Sequence, residues 1–186
     1  MRRLILSLLF FPAIPLLGAE EGEQRFLEPF KFELGLNARG SSTHVQGTDV
    51  DLRSIGADLS LGFFLTSWFE PGIKVEYLHT KTEFDDDETE THDLVGGPQL
   101  IFNLPTNTRL VPFAFGSGGP TYQFVEENNQ RTFEELGAFW EAGGGLRIFA
   151  TDNVAVNFRV SFQQFLFNDS PDFNVIVGAA GISLFF

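Results

Sequence analysis

The chain has 186 residues, enough for one domain and short for two. Its 12 Lys and Arg stand against 25 Asp and Glu, a formal charge of -13, so it lacks the basic stripe that phosphate-binding proteins carry, and nucleic acid is excluded as a partner. The absence of cysteine excludes disulfides, thiolate metal sites and a Cys-linked lipid anchor, leaving packing and backbone hydrogen bonds to hold the chain together.

Residues 1–19 have the layout of a secretory signal peptide: Arg2 and Arg3, a short apolar run, and small residues at Gly18 and Ala19 before the acidic Glu20. Pro12, Pro15 and the shortness of the run argue against a membrane-anchoring helix, which needs roughly 18–20 apolar residues. Removing that leader takes away two arginines and no acid, so the formal charge moves from -13 to -15. Residues 20–186 are expected to form a single domain.

The remainder holds most of the 23 Phe and 19 Gly, yet no apolar run long enough for a helical span. Instead the chain alternates with a period of two, which is how a strand separates two faces. In run one, Phe30, Phe32, Leu34, Leu36 and Ala38 oppose Lys31, Glu33, Gly35, Asn37 and Arg39. Run two sets Ile55, Ala57, Leu59, Leu61, Phe63 and Leu65 against Gly56, Asp58, Ser60 and Gly62. Run three places Phe69, Pro71, Ile73, Val75 and Tyr77 opposite Glu70, Gly72, Lys74 and Glu76.

Run four is weaker, with Leu94, Gly96, Pro98, Leu100 and Phe102 on one face, and Pro98 predicts a bulge or defect because it cannot donate to a ladder. Run five groups Val111, Phe113 and Phe115 as its apolar face, against Pro112, Ala114, Gly116 and Gly118. Run six opposes Ala138, Trp140, Ala142, Gly144, Leu146 and Ile148 to Glu141, Gly143, Gly145 and Arg147. Run seven opposes Val154, Val156, Phe158, Val160 and Phe162 to Ala155, Asn157, Arg159, Ser161 and Gln163. Run eight covers 173–186 and ends on Ile182, Leu184 and Phe186, two apart.

Eight runs of about 9–14 residues suit tilted strands crossing a hydrocarbon layer. Short links at 66–68, 104–108 and 150–153 alternate with mostly longer, polar ones at 40–53, 78–92, 120–137 and 168–172. The pattern predicts an all-β fold: an eight-stranded antiparallel up-and-down transmembrane β-barrel with both termini at the short-turn, periplasmic end. A soluble barrel of lipocalin type would turn the apolar face inward. Glycines beside the charges, aromatic residues near strand ends and the terminal Phe186 favour the membrane form.

On these residues the chain resembles the small eight-stranded bacterial outer-membrane barrels, the OmpA- and OmpX-like transmembrane domain class. The resemblance covers residues 26–186 and rests on the eight runs, the stretch Val111-Pro-Phe-Ala-Phe-Gly-Ser-Gly-Gly119, and the aromatic C-terminus. It implies a porin-like, monomeric barrel of the Gram-negative cell envelope, exported through the periplasm. Its implied partners are outer-membrane lipid, lipopolysaccharide, and the outer-membrane assembly machinery, which would read Ile182, Leu184 and Phe186. Residues 111–174 are also similar in layout to the outer-membrane lipid A deacylases, whose catalytic His and Ser lie near the end of the seventh strand. This chain reads Ser161-Phe-Gln-Gln-Phe165 there, without His, and its His44, His79 and His92 fall in or beside the expected loops as solvated side chains.

With the apolar face on lipid, the lumen is expected to hold Lys31, Glu33, Arg39, Asp58, Glu70, Lys74, Glu76, Glu141, Arg147 and Arg159, five acids and five bases paired as a ladder. No catalytic residue, cofactor or metal site is expected, and the acidic run Glu83-Phe-Asp-Asp-Asp-Glu-Thr-Glu90 reads as a solvated, flexible loop that lacks the ordered spacing of a calcium loop. The functional expectation is a non-enzymatic envelope or surface-interaction protein; the alternatives are a lipid A deacylase-like barrel and a small ion channel.

Overall fold

The computed structural model describes residues 27–44, 51–84, 87–127, 130–168 and 173–186; the expected leader lies outside them. Eight strands follow in chain order: β1 (Phe32–His44), β2 (Asp51–Phe63), β3 (Phe69–Phe84), β4 (Asp87–Asn103), β5 (Leu110–Glu127), β6 (Gln130–Thr151), β7 (Val154–Phe167) and β8 (Phe173–Phe185). Each pairs antiparallel with the next, and β1 also pairs with β8, so the sheet is a closed barrel with no unpaired edge. Closure is made by Leu34 opposite Leu184 and Leu36 opposite Ile182, and past them Phe32 and Phe186 exchange both backbone hydrogen bonds, at 2.9 and 3.1 Å.

The period-two sorting fixes which residues line which side. On β7, Val160 is 62% exposed on the outer wall while its neighbours Arg159 and Ser161 are 9% and 5% exposed inside. Leu36, Leu59, Ile73, Val75, Leu94, Phe158, Ile176 and Ile182 are likewise exposed, whereas Glu70, Lys74, Glu76 and Arg147 are buried. The outer wall is therefore apolar and the interior charged, the reverse of a lipocalin-like barrel.

Aromatic rings gather at both ends of this apolar band. Near the termini Phe32 lies between Phe63 and Phe186, at 4.9 and 6.1 Å between ring centres, and Phe102 stands 5.2 Å from Phe69 and 6.3 Å from Trp68. At the far end the rings carry polar tips with partners: Tyr122 donates to Glu134 Oε2 at 2.6 Å and Trp140 Nε1 to Gln164 Oε1 at 2.7 Å. Rings with an apolar body and a satisfied polar tip suit a boundary between apolar and wet surroundings.

Run five is inverted relative to expectation. Val111, Phe113 and Phe115 point into the barrel, and Pro112 and Ala114 face outward. The reason is on the neighbouring strand, where Phe113 lies opposite Gly145 and Phe115 opposite Gly143 in register. A Cβ at Gly143 would come 2.9 Å from Phe115 Cζ, and one at Gly145 2.6 Å from Phe113 Cζ. The inward glycines of β6 thus leave the volume that two inward Phe rings of β5 fill, and packing overrides the simple sorting of apolar residues to the outer wall.

The strands are also longer than expected. Most of the links predicted at 78–92 and 120–137 are ladder: β3 and β4 stay paired out to Phe84 and Asp87, and β5 and β6 out to Glu127 and Gln130. Polar β-branched residues suit the first extension, with Thr80 opposite Thr91 in register beside the opposite-charge pair Lys81 and Glu90. In the acidic run at 83–90, residues 83–84 and 87–90 are therefore paired strand and not loop, and residues 85 and 86 lie outside the described residues.

Two smaller features follow from backbone geometry. Run one starts late, because Phe30 adopts a φ of 67°, a conformation a bulky residue rarely takes, and turns the chain before β1 begins at Phe32. The defect expected at Pro98 is a break in one ladder and not a bulge: pairing with β3 is continuous, and pairing with β5 is interrupted between Val95–Thr121 and Gln99–Ser117 with no register shift. In that gap the backbones approach so closely that Cβ atoms at Gly97 and Gly119 would collide with the carbonyls of Gly118 and Gly96.

Candidate functional site: the filled barrel interior

The interior is stacked in layers. Nearest the termini is an apolar plug of Leu27, Phe64, Val111, Phe149, Ala155 and Phe185, with Phe185 5.1 Å from Phe149 and 6.0 Å from Phe64. Leu27 and Phe64 come from outside the strands and fold in under the barrel mouth, which closes that end with side chains the alternation does not mark.

Above the plug stands Arg147. It meets Glu33 Oε2 at 2.5 Å and Glu70 Oε2 at 3.6 Å, and donates to Asn103 Oδ1 at 3.1 Å and Asn157 Oδ1 at 3.4 Å. Its guanidinium lies over the rings of Phe185, Phe113 and Phe64, at 5.2, 5.3 and 5.9 Å. Three ring faces beneath and two carboxylates beside a desolvated Arg satisfy both its planar charge and its fork of donors.

The next layer joins Arg159 of β7 to Asp58 of β2 at 2.5 Å, with Asn37 donating to the other Asp58 oxygen at 2.8 Å and Phe115 under the guanidinium at 5.3 Å. A third layer centres on Glu141, which accepts from Ser161 at 2.6 Å, Arg39 at 3.0 Å, Ser117 at 3.1 Å, and Lys74. Lys74 also reaches Glu76 at 2.7 Å, Arg39 pairs with Glu76, and Gln163 bonds both Arg39 and Glu76. A second apolar layer of Leu78, Val95, Phe139 and Phe165 covers this network from the far side, with Lys74 5.4 Å from the Phe139 ring centre.

These contacts tie strands that are not neighbours: β6 to β1 through Arg147 and Glu33, β7 to β2 through Arg159 and Asp58, and β3 to β6 through Lys74 and Glu141. An eight-stranded barrel is just wide enough for its own side chains to fill. Bonds that cross its width leave the described interior occupied by protein.

Of the ten ionisable residues expected inside, nine are buried there and Lys31 is not. Lys31 precedes β1, is partly exposed and pairs with Glu28 at 3.2 Å. The sequence reading omitted Asp93 and Glu135, which are buried inside; Asp93 accepts from Gln123 at 2.9 Å. Among the described buried residues the acids thus outnumber the bases, seven to four, in place of the expected balance. Asp93 is readable as the inward neighbour of Leu94 at the start of run four.

The deacylase alternative required a nucleophile with a base in reach. Ser161 faces inward and donates to Glu141. His79 and His92 sit on the outer wall of β3 and β4, opposite one another in register, so neither of these imidazoles accompanies that serine.

No protein-family model matches the chain, and no curated protein does. Solved structures do. The chain is similar to Neisserial surface protein A at 15% identity and a TM-score of 0.58, over 84% of this chain and 97% of that one. It is also similar to the N-terminal β-barrel domain of Pseudomonas aeruginosa OprF, at 15% identity and a TM-score of 0.52, over 88% of this chain and all of that one. The outer membrane protein OprG from Pseudomonas aeruginosa matches at 13% identity and 0.50, over 86% and 97%. The fold is that of the small eight-stranded outer-membrane β-barrels.

Proposed function

We propose that this chain is an integral, non-enzymatic β-barrel of a Gram-negative-type bacterial outer membrane, with a lumen closed by its own side chains and a role in envelope structure or surface interaction. The observation that carries the reading is the pairing of an apolar outer wall with an interior bridged by ion pairs between opposite strands. Band height supports it: the ten steps along the strand from Phe102 up to His92, at about 3.4 Å each and tilted by about 40°, rise roughly 26 Å, close to the ~25 Å apolar band of such barrels.

The leader at 1–19 supplies export through the periplasm, and Ile182, Leu184 and Phe186, all exposed on the outer wall of the closing strand, supply the signal for the assembly machinery. The wall then meets lipid, and the strand extensions of β3–β6 stand at the level of lipopolysaccharide as a monomer. Planar-bilayer recording on the refolded protein tests the closed lumen: rare or no channel events are expected, and steady, large conductance would overturn it. A lipid A deacylation assay tests the non-enzymatic reading, which robust fatty-acid release would overturn.

A further inference from the structure

On the outer wall just above Tyr77 and Leu94, three side chains from β3 and β4 converge. His79 lies opposite His92 in register, and Glu90, two residues before His92, shares its face. One ligand atom from each of the three falls within 4.8 Å of the others. Glu90 Oε2 is 3.3 Å from His79 Nε2 and 3.8 Å from His92 Nε2. Both Nε2 atoms are shielded from solvent and lack a hydrogen-bond partner of good geometry.

Ring packing holds this geometry. The imidazoles stack at 4.8 Å and 17°, His92 lies on Phe124 at 4.6 Å and 11°, and Tyr77 Oη sits 2.6 Å from His92 Nδ1. With Nδ1–H donating to Tyr77 Oη, the His92 Nε2 lone pair points at the cluster, the arrangement that orients a metal-ligating histidine. Stacking accounts for parallel rings; it gives no reason for two bare nitrogens and a carboxylate oxygen to converge.

We propose that His79, His92 and Glu90 form a three-ligand site for a zinc-class divalent ion at the outer rim of the barrel. Ligands about 2.0–2.1 Å from a tetrahedral ion lie about 3.3–3.4 Å apart, near the two separations to Glu90. Two imidazoles and one carboxylate suit zinc and the late first-row metals, whereas calcium and magnesium take shells of oxygen. The ion clamps β3 to β4 beyond the apolar band and keeps one coordination position for water or an external ligand. This site is independent of whether the lumen conducts.

The test is calorimetric titration of Zn²⁺ into the full chain folded in detergent, with Co²⁺ absorption as a second readout. One Zn²⁺ per barrel and a four-coordinate cobalt spectrum are expected. Affinity should fall at least tenfold in His79→Ala and His92→Ala, fall with Glu90→Gln, and weaken about tenfold in Tyr77→Phe. A variant away from the cluster, Asp152→Asn, should bind like the parent. Because the chain has no other cysteine, His92→Cys should restore binding and add a thiolate-to-cobalt band, which guards against an alanine variant that merely misfolds. No Zn²⁺ binding, equal binding of Ca²⁺, or binding that survives loss of both histidines would overturn the site.

Discussion

Arg147 on β6 and Glu33 on β1 meet at 2.5 Å although neither strand borders the other, so a single ion pair spans the barrel. With Glu70 3.6 Å from the same guanidinium, removing Arg147 leaves two desolvated carboxylates without their cation. Arg147→Ala is expected to lower stability by about 3–5 kcal/mol, read from the urea midpoint of the barrel refolded in lipid vesicles. Removing the charges together should recover much of that loss, so Arg147→Met combined with Glu33→Gln and Glu70→Gln should be more stable than Arg147→Ala alone. A neutral Arg147→Ala would contradict the network.

The Phe–Gly complementarity across β5 and β6 makes a second prediction. Phe115→Ala should cost about 3–5 kcal/mol through the void it leaves beside Gly143. Gly143→Val should also destabilise, by about 1–3 kcal/mol, because its side chain meets Ser161 Cβ, the Val160 carbonyl and the Phe115 ring. Combining Gly143→Val with Phe115→Ala should cost less than the sum of the two, since one change occupies space the other vacates. Strict additivity in a double-mutant cycle would show that the ring and the glycine are not coupled.

Charge on the outer wall separates lipid from water. Val160 lies midway along β7 on the exposed face, and Val160→Arg should cost about 2–4 kcal/mol in a bilayer. Were that face in water, the same change would fall within about 0.5 kcal/mol.

Phe186 closes the barrel with two backbone hydrogen bonds to Phe32 and a ring stack at 6.1 Å. Its deletion should cost the refolded barrel only about 1–2 kcal/mol. If the proposed assembly signal includes Phe186, the amount reaching the outer membrane of producing cells should fall several-fold. Undiminished outer-membrane levels would remove the signalling role from Phe186.

How far the residues announce this structure depends on what each alternation carries. The outward row of β7 was legible because apolar and polar residues alternate without exception from Val156 to Gln163. The orientation of β5 was not, since Val111, Phe113 and Phe115 serve either face, and the deciding glycines, Gly143 and Gly145, become relevant only once the β5–β6 register is known. The extensions of β3 and β4 were hidden because residues 79–92 are polar on both faces, which erases the hydrophobic period while leaving β-branched threonines to pair. Lys31 was placed inside because the alternation runs on through Phe30, whose positive φ breaks the strand. His79, Glu90 and His92 looked like separate loop residues, since their convergence exists only across the β3–β4 register.

The central claim is that the apolar wall of the barrel meets lipid and the polar wall is sealed inside. The absence of cysteine allows single spin labels to be placed at Val156→Cys, Val160→Cys, Phe162→Cys and Ser161→Cys in a vesicle-reconstituted chain. Labels at 156, 160 and 162 should collide freely with lipid-dissolved oxygen and not with a water-soluble nickel reagent, while the label at 161 should be shielded from both. Labels at 156, 160 and 162 that are open to the aqueous reagent, or a label at 161 that is open to lipid, would contradict it.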